Sequence, residues 1–146
     1  QNIDDLHERA GSTSVTHLHG ELRKLRSSVN ENMVCEIDGW EQNADEVAAD
    51  GSLLRPFVVF FGESVPMFEK AAAIAAEADV MIVAGTSLAV YPAASLVRYV
   101  RPGTPIWLVD PGLPDVHSIG NLREHIRMGS AEGLPLLAGK LRSEYR

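Results

Sequence analysis

The sequence predicts an α/β fold in which helices cover both faces of a parallel β-sheet. Three apolar runs, at 57–61, 80–84 and 106–109, are the candidate strands. Alanine-rich or amphipathic segments with helical spacing separate these runs. Because two parallel strands need a long crossover between them, usually a helix, strands that alternate with helices indicate a parallel sheet.

The N-terminal part of the chain predicts a short helix, a turn and one strand. The helix is indicated by apolar side chains at helical spacing, namely Ile3, Leu6 and Ala10. Residues 11–14 form the expected turn, and residues 15–20 alternate as a strand that runs into Gly20. Alternating charges at 21–28 predict a solvated loop or a short helix.

The segment 30–50 differs in composition from the rest of the chain. It holds seven acidic residues between Glu31 and Asp50, no lysine or arginine, few apolar residues, and Gly39 near its middle. We expect an irregular acidic excursion or small lobe, which is either a solvated flap or a specific binding patch.

Regular elements alternate from residue 53 onward. The run at 57–61, which has no charged side chain, is predicted to be a strand covered on both faces. The elements expected after it are a helix at 67–78, a second buried strand at 80–84, a helix at 92–100, a strand at 106–109, a weak strand at 125–128 and a last helix at 132–142.

Length, charge and cysteine content restrict the possible classes of protein. The 146 residues are enough for one domain with a core, and the net charge of -7 argues against nucleic acid as the main partner. The single cysteine, Cys35, excludes an internal disulfide and favours a reducing, cytoplasmic setting. No apolar run approaches the ~20 residues that a membrane helix needs, so we expect no membrane partner.

His19 is a candidate catalytic residue, because it stands at the end of the strand expected at 15–20 and directly before Gly20. The ordinary pKa of histidine lies near neutrality, which suits a general acid or base. The glycine would let a substrate or a neighbouring backbone approach closely. The alternative is a half-buried histidine that is hydrogen-bonded to the backbone and has no chemical role.

Small and polar residues follow the candidate strands at 57–61, 80–84 and 106–109. They are Gly62, Glu63, Ser64, Gly85, Thr86, Ser87 and Asp110. Ligands of parallel sheets bind outside the carboxyl ends of the strands, where such groups could hold a phosphate and a ribose hydroxyl. The pattern therefore favours a nucleotide site, and plain turns are the alternative.

Four motifs stand in order along the chain and carry its most specific signal. They are Gln-Asn-Ile-Asp-Asp-Leu-His at 1–7, His-Leu-His-Gly-Glu at 17–21, Phe-Phe-Gly-Glu at 60–63, and Gly-Thr-Ser-Leu-Ala-Val-Tyr-Pro-Ala-Ala at 85–94. Together they resemble the successive signatures of sirtuins, which are NAD-dependent protein-lysine deacylases. The resemblance covers all of the chain except 30–50 and corresponds to the C-terminal two-thirds of a sirtuin catalytic domain. It implies a Rossmann-like NAD-binding fold whose N-terminal part is missing from this chain.

The resemblance also implies roles for individual residues. His19 matches the family's general base, which acts through the ribose hydroxyls of NAD, and Asn2 and Asp4 match residues at the nicotinamide and its ribose. The positions that match cofactor contacts are Gln1, Asn2, Ile3, Asp4, Gly85, Thr86, Ser87, Val109, Asp110, Pro111 and Ala131. The positions that match the acyl-lysine tunnel and the two edges holding the peptide are Val59, Phe61, Gly62, Glu63, Ser64 and Val90. The implied partner is an acyl-lysine peptide or protein.

Three departures from the family pattern change these expectations. Sirtuins usually carry a zinc module of two cysteine pairs between the second and third motifs, where this chain has only Cys35, so we expect no zinc. The family usually has asparagine where Asp110 stands, and a carboxylate can accept but not donate hydrogen bonds at the adenosine ribose. The family's glycine-rich phosphate loop precedes the first motif. We therefore expect an upstream segment of roughly a hundred residues, without which the chain is inactive.

These expectations define the domain assignment and leave two alternatives for function. We assign 1–146 to a partial sirtuin catalytic domain, with 1–29 and 53–146 as its NAD-binding part and 30–52 as the acidic excursion. One alternative is an NAD glycohydrolase or ADP-ribosyltransferase on the same scaffold. The other is a non-catalytic module that binds NAD or ADP-ribose.

Overall fold

The computed structural model describes residues 2–114, 116 and 119–145. Its backbone divides into two compact units, Gln1–Met67 and Phe68–Arg146, which we call unit 1 and unit 2. Each unit contains its own three-stranded sheet. No helix within the described ranges is long and apolar enough to cross a membrane.

Unit 1 is built around an antiparallel sheet with the strand order β2-β1-β3. Its elements are the short helix α1 (Leu6–Arg9) and the strands β1 (Gly20–Ser27), β2 (Val34–Glu36) and β3 (Leu54–Val58). In the central strand β1, Leu25 lies opposite Cys35 on one side and Pro56 on the other. Leu25 is 4% exposed and forms the apolar centre of this unit.

The first strand of unit 1 corrects two predictions. The strand expected at 15–20 is wrong, because residues 15–19 are irregular and β1 begins only at Gly20. The loop or short helix expected at 21–28 is also wrong, because most of these residues form β1. The charged side chains of Arg23 and Lys24 are only partly buried there. One face of an antiparallel sheet can meet solvent, so charges occur within its strands.

The apolar run at 57–61 is not a parallel strand covered on both faces, which is a further correction. β3 ends at Val58 and pairs antiparallel with β1. Phe60 and Phe61 lie beyond its end and are 51% and 90% exposed. A short apolar run does not by itself show that its residues are buried. Its partner strand, and the residue at which it ends, depend on residues that are distant in sequence.

The acidic segment 30–52 is irregular, as expected, apart from β2 and one bridge between Val47 and Leu53. Most of its side chains are exposed, including Trp40 at 84%. Arg23 of β1 lies over the Trp40 ring, 5.0 Å from its centroid. The assignment of 30–52 as a separate excursion from an NAD-binding part stays a prediction.

A buried hydroxyl joins the two ends of this segment. Ser27 is fully buried, and its hydroxyl donates a hydrogen bond to Asp50 Oδ2 at 2.9 Å and contacts the Ser52 hydroxyl at 2.7 Å. The same hydroxyl accepts hydrogen bonds from the amides of Val29 and Asn30. We call Ser27, Asp50 and Ser52 the Ser27 cluster.

Unit 2 is an α/β unit with a parallel sheet of strand order β4-β5-β6. Its elements are α2 (Phe68–Glu77), β4 (Met81–Ala84), a 3₁₀ helix (Ala93–Arg98), β5 (Ile106–Val109), β6 (Leu122–Ile126) and α3 (Ser130–Glu144). The order and type of these elements confirm the prediction from residue 67 onward. Two details differ, since β6 begins earlier than the weak strand expected at 125–128 and the helix expected at 92–100 is a 3₁₀ helix. The burial expected for the strand at 80–84 is wrong, because β4 alternates between partly buried and exposed residues and Ile82 is 46% exposed.

The side chains of β5 alternate between two apolar clusters on opposite faces of the sheet. Ile106 packs with Ala75 of α2 and with Val97 and Val100 around the 3₁₀ helix. Trp107 and Val109 pack with Ile126 of β6 and Leu137 of α3. All four residues of β5 are buried. Helices therefore cover both faces of the parallel sheet, which confirms the predicted fold class for this unit.

Candidate functional site

His19 is a buried histidine at the start of β1, in unit 1. The residue is only 8% exposed, and burial lowers the pKa of its imidazole below the ordinary value. Its backbone oxygen accepts a hydrogen bond from the amide of Val59 at 2.9 Å. The imidazole is therefore neutral near pH 7, as a general base requires, and the backbone of His19 is joined to the segment that follows β3.

Gly20 allows the backbones of β1 and β3 to meet beside His19. Its φ is +92°, a left-handed conformation that other residues adopt only at a cost. A Cβ atom at this position would lie 2.0 Å from the backbone oxygen of Phe57. The glycine after His19 therefore serves the close approach of a neighbouring backbone, one of the two purposes that the sequence suggested.

The first motif lies in the same unit as His19. The backbone oxygen of Ile3 accepts a hydrogen bond from the amide of Leu22 in β1 at 2.7 Å. Asp4 Oδ1 accepts a hydrogen bond from the amide of Leu6 at 3.1 Å, and Asn2 is exposed. Gln1 lies outside the described residues. The roles assigned to Asn2, Ile3 and Asp4 stay predictions.

A pocket of about 480 Å³ opens within unit 1, lined by residues from 15–21, 26–32 and 57–67. Three of the predicted substrate residues line it, namely Val59, Glu63 and Ser64. Leu18 and Gly20 line it as well, whereas His19, which stands between them in sequence, is not among the lining residues. Phe61 and Gly62 lie outside the lining, and Phe61 is 90% exposed.

Glu63 is held in place by Arg55, a residue that the sequence reasoning missed. The two Arg55 guanidinium nitrogens donate to the two carboxylate oxygens of Glu63 at 2.7 and 3.2 Å. The Phe60 amide donates to Glu63 Oε2 at 3.0 Å. The Arg55 hydrogen bonds, and next the Phe60 amide, lower the pKa of Glu63. These hydrogen bonds tie the Glu63 carboxylate to Arg55 in β3 and to the Phe60 amide, so they hold the loop that follows β3 in place. Arg55 and Glu63 are eight residues apart, which gives no local signal in the sequence.

The carboxyl ends of β4 and β5 meet the start of α3 within unit 2. The Gly85 amide donates to the backbone oxygen of Val109 at 3.0 Å. A Cβ atom on Gly85 would lie 3.3 Å from the hydroxyl oxygen of Ser130, the first residue of α3. The structure therefore brings Gly85, Val109 and the residue before Ala131 to one edge of the sheet, where α/β proteins bind nucleotides.

Hydrogen bonds order the polar residues at this edge. The Thr86 hydroxyl oxygen accepts a hydrogen bond from the Leu88 amide at 3.1 Å. Asp110 Oδ1 accepts from the Gly112 amide at 2.7 Å, and the Asp110 backbone oxygen lies 2.9 Å from His125 Nε2. Ser87, Pro111 and Ala131 are exposed and Val90 is half-buried. The sequence reasoning missed His125, because its partner is a backbone oxygen fifteen residues away.

Within residues 2–114, 116 and 119–145, no three His, Cys, Asp or Glu side chains are grouped as metal ligands. Cys35, in β2, is an exposed free thiol.

The parallel sheet between two helical layers, with glycine and polar residues at the strand ends, defines unit 2 as part of a Rossmann-like α/β protein. The model of the Sir2 family matches residues 1–92, and the chain therefore belongs to this family, the sirtuins.

Relatives and solved structures extend the match along most of the chain. It is 44% identical over 139 residues to the NAD-dependent protein deacylase of Bacteroides thetaiotaomicron, covering 92% of this chain and 59% of that protein. It is similar to the structure of a Sir2 homolog–NAD complex, with 39% identity and a TM-score of 0.85 over 99% of this chain and 57% of that one. A Sir2–p53 peptide–NAD+ structure is 32% identical with a TM-score of 0.72, covering 96% of this chain and 60% of that one.

The chain thus spans less than two thirds of the length of each of these proteins.

Proposed function

We propose that the protein containing this chain is an NAD-dependent protein-lysine deacylase. One observation carries the proposal: His19, buried and neutral, is joined by a backbone hydrogen bond to Val59, which lines the pocket of unit 1. This backbone bond supports the pairing of His19, as the candidate base, with Val59, as a candidate wall for the acyl-lysine. The relative named NAD-dependent protein deacylase and the Sir2 structure with a peptide and NAD+ support the same assignment.

The residues at the strand ends of unit 2 fit a dinucleotide. A side chain at Gly85 would be tight against Ser130, so the glycine leaves room near the start of α3. Gly85, Thr86, Ser87 and Ala131 would hold the phosphates and adenosine, and Asp110 would accept hydrogen bonds from ribose hydroxyls. The family resemblance assigns Asn2 and Asp4 to the nicotinamide and its ribose. Bound NAD would supply the ADP-ribosyl group that accepts the acyl chain, with nicotinamide as the leaving group.

His19 would act as the base in this reaction. Its lowered pKa keeps an imidazole nitrogen unprotonated at neutral pH, ready to take up the proton of a ribose hydroxyl. Val59 and the other apolar residues of the pocket suit an acylated lysine, which has lost its charge. The segment at Gly62 to Ser64 would hold one edge of the peptide as an added strand.

We also propose that this sirtuin has no structural zinc. The interval between the second and third motifs contains one cysteine, Cys35, whose thiol is exposed. The Ser27 cluster supports the proposal, since it joins the ends of the acidic segment by hydrogen bonds in place of a metal. Hydrogen bonds from the hydroxyl of Ser52, and next from its amide, lower the pKa of Asp50. Asp50 is therefore ionised at neutral pH and accepts these hydrogen bonds as a carboxylate.

The remaining expectations belong to the same proposal. The chain would correspond to the C-terminal two-thirds of a sirtuin catalytic domain, and an upstream segment would complete the cofactor site. The substrate would be an acyl-lysine peptide or protein, with neither nucleic acid nor a membrane as partner. The single cysteine supports a reducing, cytoplasmic location.

The test is to incubate the full-length protein with NAD and an acetyl-lysine peptide and to measure nicotinamide and free lysine together. We expect equal release of both, and a loss of about 10²- to 10⁴-fold in rate for His19→Ala, the usual contribution of a general base. Lys70→Ala, which removes an exposed side chain of α2, is the control and should keep full activity.

Two outcomes would overturn the proposal. Nicotinamide release without deacylation would assign the protein to the glycohydrolases or ADP-ribosyltransferases. Binding of NAD with no release of nicotinamide would make it a non-catalytic binding module.

A further inference from the structure

We propose that His17 and Glu8 are positioning residues, whose contact holds the segment carrying Asn2 and Asp4 against β1 for nicotinamide binding. This inference rests on the proposed function for the roles of Asn2 and Asp4. His17 itself has no role in the proposed chemistry, although it stands two residues before the candidate base.

The contact is short and joins two separate elements. His17 Nε2 lies 2.6 Å from Glu8 Oε1, and His17 stands just before β1 while Glu8 lies in α1. The His17 side chain is 16% exposed and that of Glu8 is 40% exposed. The pKa of Glu8 is lowered first by a hydrogen bond from its own backbone amide to its carboxylate, and next by the hydrogen bond with His17. Glu8 is therefore ionised at neutral pH and is a strong acceptor for the imidazole.

A second carboxylate favours the same orientation of His17. Glu21 Oε2 lies 3.9 Å from His17 Nε2, and Glu21 Oε1 accepts a hydrogen bond from Lys24 at 3.0 Å. The imidazole therefore lies near two carboxylates, with the shorter contact to Glu8. His17 and Glu21 also line the pocket of unit 1, so the contact borders the candidate substrate site.

The first motif depends on contacts of this kind for its position. α1 has four residues, Leu6–Arg9, and none of them is buried. A helix this short is not stable by itself, because nucleation costs more than one turn of hydrogen bonds returns. Two tethers join the segment to the neighbourhood of β1: the backbone bond from Leu22 to Ile3, and the contact of Glu8 with His17. Asn2 and Asp4 lie on either side of the first tether, and the second one fixes the helix that follows.

The test uses the full-length protein and the variants Glu8→Ala and His17→Ala. We expect each to raise the KM for NAD roughly tenfold, less than the ~100-fold that a 1 Å misplacement of catalytic groups can cost. The KM for the acyl-peptide should stay near wild type in Glu8→Ala, because Glu8 does not line the pocket of unit 1. The thermal midpoint should also change little, because an exposed ion pair contributes little stability.

Arg9→Ala is the matched control. It removes an ion pair with Asp5 inside α1, at 3.9 Å, and leaves the contact between Glu8 and His17 intact. It should leave the KM for NAD unchanged. Equal effects of Arg9→Ala and Glu8→Ala would overturn the proposal, because loss of any charge in α1 would then suffice. An unchanged KM for NAD in Glu8→Ala would overturn it directly.

Hydrogen exchange separates a failure of this proposal from a failure of the proposed function. Amides of residues 3–12 should exchange faster in Glu8→Ala than in Arg9→Ala, and the dissociation constant for NAD should rise in the first variant alone. Both readouts work without turnover. If the wild type does not turn over NAD, these two measurements still decide whether the contact positions the segment.

Discussion

The two units of the chain are stabilised in different ways. In unit 2 every residue of β5 is buried, and two apolar clusters lie on either face of the sheet. In unit 1 only Leu25 is a buried large apolar side chain among the described residues, and β1 alternates between buried and partly exposed positions. Polar contacts are prominent there instead: the Ser27 cluster, Glu8 with His17, and Arg55 with Glu63.

The difference matters because the candidate base lies in unit 1. A close-packed apolar core is sensitive to changes in its buried side chains. The polar residues at the strand ends lie outside that core, so they are available to bind ligands. A unit with a small core depends on backbone pairing and on individual hydrogen bonds, and its segments open more easily. We therefore expect substitutions of single polar or glycine residues to matter most in unit 1, and truncation of apolar side chains to matter most in unit 2.

The largest expected effect is that of Gly20→Ala in unit 1. The new Cβ would lie 2.0 Å from the Phe57 oxygen, and the residue would keep a φ of +92°. Backbone overlap and a left-handed conformation together should cost about 5 kcal/mol of unfolding free energy, measured by chemical denaturation. Deacylation should be lost because the bond between His19 and Val59 is displaced.

Gly39→Ala is the control for this prediction. Gly39 has a φ of +83°, but a Cβ there would meet nothing within 4 Å. Gly39→Ala should lower the free energy of unfolding only by the cost of the left-handed conformation, about 1–2 kcal/mol. Equal losses in the two variants would mean that the approach of β3 to Gly20 does not control the stability of unit 1.

The next effect is that of Leu137→Ala in unit 2. Leu137 of α3 is fully buried against Trp107 and Val109, so the substitution should cost about 3 kcal/mol through lost burial and a cavity. Leu136→Ala, at a neighbouring position that is 53% exposed, should cost much less. Denaturation of the two variants side by side measures the difference. Similar values would contradict the packing of α3 on this face of the sheet.

A smaller effect is expected for Ser27→Ala, which removes the centre of the Ser27 cluster. The amides of Val29 and Asn30 would lose their acceptor and Asp50 would lose a donor. Leaving such groups unpaired costs about 1–3 kcal/mol. Ser28→Ala, at an exposed position, should stay within about 0.5 kcal/mol of wild type. If the two variants are equally stable, the cluster does not join the ends of the acidic segment.

The smallest effect concerns pH. Burial lowers the pKa of His19 in the folded protein, while the unfolded chain keeps the ordinary value of about 6.5. The unfolded state therefore binds more protons, so this contribution to stability is present above pH 6.5 and is lost as pH falls towards the folded pKa. Wild type should lose more stability than His19→Asn between pH 7.5 and 5.5, as followed by denaturation midpoints. Parallel curves would mean that His19 is not desolvated.

Local pattern predicted unit 2 better than unit 1. The runs at 80–84 and 106–109 alternate with helical segments, and the strands and crossovers followed as expected, although the burial expected for 80–84 is wrong. In unit 1 the same reasoning placed a strand too early, interpreted β1 as a loop, and took 57–61 for a parallel strand. β1 contains four charged residues among its eight positions, because only part of the strand is covered.

The candidate site was predictable in its motifs but not in its contacts. His19, Gly20 and Glu63 were singled out from sequence, since their residue types and neighbours are characteristic of the family. The partners that give them their properties lie far away in the chain. The amide of Val59 bonds the backbone oxygen of His19, the Phe57 oxygen leaves no room for a Cβ at Gly20, and Arg55 bonds the Glu63 carboxylate.

The sequence by itself determined the family, the order of elements in unit 2 and the residue types at the strand ends. These properties depend on local periodicity and on motifs of a few residues, which can be recognised without a partner. Only the tertiary structure decided that β3 pairs with β1, that His19 is buried, and that Glu8 contacts His17. Each of these findings depends on which distant segments pack together and exclude water from one another. A local sequence pattern does not show which segments these are.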